Sequence, residues 1–303
     1  MSFQIEQIPK QNRRIAIITG ANSGLGYETT LGLAKTGMKV IMACRNAEKG
    51  ELAKQSIEKE VGKSDLEVLT IDLNSLQSVR NFAQHILDKY DRLDLLINNA
   101  GIMIPPFSKT EEGFESQMGV NYFSHFLLTN LLFPLVEKTP DSRIVSLSSI
   151  AHEKGKIDFE NLNAEQHYSR MKAYQQSKLA CLMFAIELQH RIDRAGKKVI
   201  SLAAHPGVSG TNLGRFIPKF LYVLAWPFMI FMAHSPQKAA LPTLMAALEP
   251  NAKGGEYYGP QGMRGMKGKP GITQPEPHAF DEKVAQKLWT ISEDLTGKKF
   301  TIA

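Results

Sequence analysis

Three residues pose the first question. Ser149 closes the apolar run Ser142-Arg143-Ile144-Val145-Ser146-Leu147-Ser148-Ser149, and Tyr174 and Lys178 stand four apart in Ala173-Tyr174-Gln175-Gln176-Ser177-Lys178. On a helix, residues i and i+4 share one face. A phenol held beside an ammonium can give a proton to a carbonyl oxygen and take one back, because the positive charge favours phenolate. A nearby serine hydroxyl can steer that oxygen and steady the charge that develops on it. Tyr-x-x-x-Lys alone is common by chance, so its meaning depends on the elements that hold it.

Those elements alternate. Arg14 to Thr19 is a continuous apolar run that breaks at Gly20, as expected of a strand buried on both faces of a parallel sheet. The pattern predicts further strands at Lys39 to Cys44, Leu66 to Ile71, Leu93 to Ile97, Arg143 to Leu147 and Lys198 to Ala203, with a possible last one at Glu256 to Tyr258. Helical patterns cover Tyr27 to Thr36, Ala47 to Glu60, Ser75 to Tyr90 (capped by Asn74 or Ser75), Glu112 to Leu132, Tyr168 to Asp193, Pro236 to Leu248 and Ala279 to Leu295. Lys253 to Gly271 reads as a surface loop. Alternating strands and helices imply an α/β fold: one doubly wound parallel sheet, helices on both faces, in a single domain over 1–303. Ligands of such sheets sit beyond the carboxyl ends of the strands, where this chain makes its unusual residue choices.

The first strand opens into Gly20-Ala21-Asn22-Ser23-Gly24-Leu25-Gly26. Glycines there let backbone N–H groups approach a pyrophosphate, and the helix N-terminus adds favourable potential. The second strand ends in Cys44-Arg45-Asn46, without the carboxylate that usually bonds the ribose 2′-hydroxyl of NAD. A guanidinium suits a 2′-phosphate, so Arg45 is read as selecting NADP (NADPH). Asp72-Leu73 ends the third strand, where the Asp72 carboxylate either reaches the adenine or caps the next helix. Asn98-Asn99-Ala100-Gly101 supplies a tight bend after the fourth strand, beside the adenosine ribose.

In order and spacing, Thr19-Gly20-x-x-x-Gly24-x-Gly26, Asn98-Asn99-Ala100-Gly101, Ser149, Tyr174-x-x-x-Lys178 and Pro206-Gly207 resemble the short-chain dehydrogenase/reductase family. Ala43-Cys44-Arg45-Asn46, Ser148-Ser149-Ile150-Ala151-His152 and Gly254-Gly255-Glu256-Tyr257-Tyr258-Gly259 narrow the likeness to its retinol dehydrogenase and WW-domain oxidoreductase branch. The resemblance implies a catalytic tetrad of Asn121, Ser149, Tyr174 and Lys178. In it Tyr174 is the acid/base, Asn121 holds a water of a proton relay, and Lys178 also binds the nicotinamide ribose. It also implies cofactor contacts from Pro206, Gly207, Val208 and Thr211. Against that branch's pattern, neither a WW module nor an N-terminal anchor like that of many retinol dehydrogenases is expected. The light-dependent protochlorophyllide reductases share Tyr-x-x-x-Lys, but their internal insertion is not evident here.

Composition narrows the rest. The 303 residues are 43% hydrophobic and 22% charged, an ordinary globular balance. The net charge of +6 comes from scattered Lys and Arg, which argues against a nucleic-acid partner. Cys44 and Cys181 form no CxxC pair and read as small core residues, in keeping with a reduced, cytoplasmic compartment. Six of the eight histidines, at 125, 152, 167, 190, 205 and 234, are scattered without ligand spacing, so no metal is expected. Phe216 to Met232 is apolar but broken by Pro218, Lys219 and Pro227, too short a run to span a bilayer. It is read as a lid, within about 213–235, over a lipophilic carbonyl or alcohol substrate. Peripheral membrane contact through this segment is the less favoured reading, and a homo-oligomer stays open. The expected function is carbonyl–alcohol interconversion by hydride transfer; a catalytically silent dinucleotide-binding regulator is the rival.

Overall fold

A computed structural model of the protein describes residues 3–208 and 234–302. Thr211 and the proposed lid up to residue 233 therefore lie outside the described residues. The strands are β1 (Ile15–Thr19), β2 (Lys39–Cys44), β3 (Leu66–Thr70), β4 (Leu95–Asn98), β5 (Arg143–Leu147), β6 (Ile200–Ala204), β7 (Tyr257–Gly262) and β8 (Lys267–Thr273). They form one sheet in the order β3-β2-β1-β4-β5-β6-β7-β8. All neighbouring pairs are parallel except β7 with β8. The chain's direction of travel reverses between β1 and β4, the switch point beyond whose strand ends open α/β sheets bind their ligands in a crevice.

Strand side chains alternate between two apolar layers. Ile17, Ile41 and Leu96 enter one core, with helices α3 (Leu76–Lys89), α4 (Ser124–Glu137), α5 (Arg170–Arg194) and α7 (Glu282–Thr296). Ala16, Ile18, Val40, Met42, Leu95 and Ile97 enter the other, with α1 (Gly24–Lys35), α2 (Ala47–Val61) and α6 (Pro236–Leu248). Burial on both faces is why these strands read as unbroken apolar runs; a buried Ile or Leu contributes roughly 1.5–3 kcal/mol.

Two stretches depart from the sequence reading. Lys253 to Gly271 is not a surface loop: residues 257–273 form the β7–β8 hairpin at the sheet edge. Pro260 pairs with Pro270 across it; β8 is the edge strand, β6 pairs β7 only as far as Tyr258, and the register shifts between Pro260 and Gly262, so neither proline removes a bond that an inner ladder needs. The helix expected over Glu112 to Leu132 is instead composite. A turn at Ser116–Met118 runs into a π-helical turn, Gly119–Phe123, and then into α4, which continues past Pro134 to Glu137. Neither Asn74 nor Ser75 caps α3 with its side chain; the Glu112 carboxylate does so from a distance, accepting from Leu76 N at 2.6 Å.

The C-terminal helix α7 seals the layer of α4 and α5. Trp289 packs on Phe126 of α4 and Phe184 of α5, with Phe300 closing the cluster, and Arg191 lies 4.2 Å above the Trp289 ring. Tyr122, in the π turn, shares a 2.8 Å hydrogen bond with Ser292. No helix among the described residues is long and apolar enough to cross a membrane.

Candidate active site

Helix α5 starts at its N-cap Ser169 and carries Tyr174 and Lys178 on the face turned to the end of β5. Both are buried. Lys178 Nζ donates to the Leu147 carbonyl at 3.0 Å, and Ser148 Oγ donates to the Lys178 carbonyl at 2.8 Å, so the strand end and the helix fix one another. Lys178 Nζ lies 6.0 Å from the centre of the Tyr174 ring. Ser149 stands at the start of a 3-10 turn, Ile150–Lys154, and its Oγ accepts from Ala151 N at 3.2 Å. That bond uses a lone pair and leaves the hydroxyl proton free to donate.

Asn121 enters from the π turn, a local widening that often marks functional sites. Its side chain clasps the loop after β4, accepting from Ile102 N at 2.8 Å and donating to Ile102 O at 3.0 Å and to Ser177 Oγ at 2.9 Å. A methyl group built on Gly101 would stand 3.2 Å from Asn121 Oδ1 and 3.4 Å from Lys178 Nζ, so both side chains border the same small space above that glycine. The four proposed tetrad positions thus converge where β4 and β5 end.

The glycine loop fits a pyrophosphate. Gly20 and Gly24 take positive φ, +68° and +54°, which glycine adopts without steric cost. A Cβ on Gly26 would collide with the Gly20 carbonyl, so helix and strand approach closely only because it is absent. Helix α1 begins three residues earlier than expected, and its N-cap Ser23 makes no side-chain capping bond, leaving first-turn N–H groups for an anion. Asn22 and Ser23 lie in the loop itself, whereas Leu25 points into protein. Arg45 is exposed at the end of β2 and makes no side-chain hydrogen bond or ion pair among the described residues.

Other expected contacts are placed less simply. Asn98 turns its side chain inward, donating to Thr129 Oγ1 at 2.9 Å, so it does not reach the crevice. Its neighbour Asn99, read in the sequence only as part of a bend, is the residue beneath the glycine loop, donating to Thr19 O at 2.7 Å. Asp72 accepts from Asn74 N at 2.9 Å, and Leu73 is buried, its carbonyl taken by Ser124 Oγ. Ala100 donates its N–H to Thr19 Oγ1. Both backbone groups of Val208 are committed to protein: its N–H donates to Met266 O at 3.0 Å, and its carbonyl accepts from His234 N at 2.8 Å. Pro206 is buried, and Gly207 has φ +71° against the Met266 carbonyl.

Two buried histidines brace this assembly, although the sequence showed them only as lacking metal spacing. His125 Nδ1 is 2.9 Å from the Asn121 carbonyl and its Nε2 2.8 Å from Thr19 Oγ1; burial lowers its pKa to about 4. His152 sits behind Ser149. Cys44 and Cys181 are free and buried, and burial raises the Cys44 thiol to about 11. Among the described residues, no cluster of His, Cys, Asp or Glu could hold a metal ion.

A sequence model of the short chain dehydrogenase family matches residues 14–220. The chain belongs to the short-chain dehydrogenase family. Retinol dehydrogenase 13 of Mus musculus is 43% identical over 291 residues, covering 94% of this chain and 84% of that protein. A crystallised, uncharacterized protein from Mycobacterium paratuberculosis superposes with a TM-score of 0.83 at 39% identity, each chain fully covered. A short-chain dehydrogenase from Shigella flexneri, crystallised with NADP, shares the fold at a TM-score of 0.62 and 24% identity, over 81% of this chain and 96% of that one. The protein is therefore a short-chain, NAD(P)-dependent oxidoreductase of the retinol dehydrogenase branch, acting on alcohol or carbonyl groups.

Proposed function

We propose that this short-chain dehydrogenase uses NADP(H) to interconvert a carbonyl and an alcohol on a lipophilic small molecule, with Tyr174 as acid/base. The observation that carries the reading is the convergence of Tyr174, Lys178, Ser149 and Asn121 at the ends of β4 and β5, beside an uncapped helix N-terminus. When bound, a nicotinamide dinucleotide supplies or accepts the hydride. Gly20, Gly24, Gly26, Asn22 and Ser23 would hold its pyrophosphate, and Arg45 a 2′-phosphate.

The chain's own groups handle the oxygen. Ser149 Oγ, its lone pair turned to Ala151 N, donates to the substrate oxygen and fixes its direction. Tyr174 passes its hydroxyl proton to that oxygen in reduction and takes it back in oxidation. The Lys178 ammonium stabilises the phenolate left behind, and the space over Gly101 suits a water bridging Lys178 Nζ and Asn121 Oδ1 to refill the proton.

Arg45, exposed at the end of β2, and the NADP complex of the Shigella flexneri relative support the cofactor choice, and the name of the Mus musculus relative supports a lipophilic substrate. NADPH oxidation measured against a panel of aldehydes and ketones of increasing chain length tests both. Turnover should rise with apolar length; preference for short polar carbonyls, or equal rates with NADH, would overturn the respective half.

A further inference from the structure

Ser149 is held from behind by His152, which is itself held by residues beyond the stretch that the family model matches. Its carbonyl accepts from His152 N at 3.0 Å and from His152 Nδ1 at 2.7 Å. The other ring nitrogen, Nε2, faces the Glu276 N–H at 3.4 Å. A carbonyl on one side and an N–H on the other assign the ring its form: neutral, with the proton on Nδ1 and the lone pair on Nε2. The ring meets the Tyr257 ring edge-on, centroids 5.5 Å apart, and the Tyr257 hydroxyl lies 3.5 Å from His152 Nδ1, where it can accept a share of the Nδ1 proton, and reaches back to Ser148. His278 Nε2 donates to the His152 carbonyl at 3.1 Å. Glu276, Tyr257 and His278 all lie after residue 220.

We infer that His152 is a positioning residue for Ser149: its neutral ring ties the Ser149 backbone to the C-terminal segment and so sets the direction in which Ser149 Oγ is presented. His152 touches neither substrate nor cofactor in this reading. Its effect passes through the 3-10 turn, whose first bond, Ala151 N to Ser149 Oγ, aims the hydroxyl. A displacement of a positioned group by about 1 Å can cost on the order of 100-fold in rate. The inference rests on Ser149 donating to the substrate oxygen.

The test is a set of variants of the full chain, assayed for kcat, KM and NADPH affinity. His152→Asn places an amide N–H near the position of Nδ1 and should keep most of kcat. His152→Gln places its amide near Nε2 instead, leaves the Ser149 carbonyl unpaired on that side, and should lose roughly 10–100-fold in kcat with NADPH affinity within about twofold. In a Ser149→Ala background His152→Gln should cost nothing further, because residues acting as one unit are non-additive. Equal kcat for Asn, Gln and His at 152, or losses that multiply with Ser149→Ala, would overturn the inference. Full activity of Ser149→Ala alone would instead remove the role of Ser149, and the inference with it. The Asn and Gln variants differ by one methylene, so a general loss of folding would strike both alike.

Discussion

His125 Nε2 lies 2.8 Å from Thr19 Oγ1, while its Nδ1 lies 2.9 Å from the Asn121 carbonyl. One buried ring thereby joins the end of β1, where the glycine loop begins, to the π turn that carries Asn121. Thr19 Oγ1 also accepts from Asn99 N and Ala100 N, each at 2.9 Å, so the segment after β4 hangs on the same hydroxyl. The glycine loop and the π turn are parts of one hydrogen-bonded unit.

That unit makes stability pH-dependent with a definite sign. Burial lowers the His125 pKa to about 4 and the nearby Lys178 charge pushes the same way, against the hydrogen bond to Asn121. In the unfolded chain the imidazole titrates near 6.5. The neutral form is therefore favoured by folding: its contribution is present above pH ~6.5 and is lost as pH falls towards about 4, up to roughly 3 kcal/mol. His205, lowered to about 3 by burial and by His152, acts in the same sense. Urea midpoints should fall steadily from pH 7 to pH 4.5, and His125→Gln should flatten the slope. An identical slope in the variant would show that His125 does not titrate in this window.

Much of this was legible because it is local. Ile15–Thr19, Lys39–Cys44 and Arg143–Leu147 are buried on both faces and read as apolar runs, and Gly20 to Gly26 announces its turn by composition. What stayed hidden depends on partners far along the chain. Residues 257–273 look like a glycine- and lysine-rich loop until β7 finds β6 and folds back into a hairpin. Asn98 and Asn99 are adjacent asparagines, and only the pleat decides that one turns inward to Thr129 and the other out beneath the glycine loop. His125 and His152 lack ligand spacing, and that criterion does not detect histidines that hold backbone carbonyls.

Tyr174→Phe removes one hydroxyl from a buried ring and little volume. If that hydroxyl moves the proton, kcat should fall by about 100- to 10,000-fold, while NADPH still raises the melting temperature as in the parent. Retained turnover would exclude Tyr174 as the acid.

Trp289→Ala tests whether the C-terminal helix supports the site. The ring fills the space between Phe126, Phe184 and Phe300, and Arg191 stacks on it. Deleting it should cost about 3–5 kcal/mol in urea unfolding at 25 °C. A loss below about 1 kcal/mol would mean that α7 docks without stabilising the layer of α4 and α5.

Arg45→Asp addresses cofactor choice at the end of β2. The guanidinium is exposed, so its replacement disturbs no packing, and any effect reports on the ligand. A carboxylate there repels a 2′-phosphate and can accept from a ribose 2′-hydroxyl. The ratio of kcat/KM for NADPH over NADH should therefore fall by at least tenfold, mostly through a higher KM for NADPH, because Tyr174 and Lys178 are untouched. High salt should narrow the difference between parent and variant, since an exposed ion pair is screened. A ratio unchanged by the substitution would mean that another group reads the 2′ position, and the exposed Lys49, one helical turn further on, would be the next to replace.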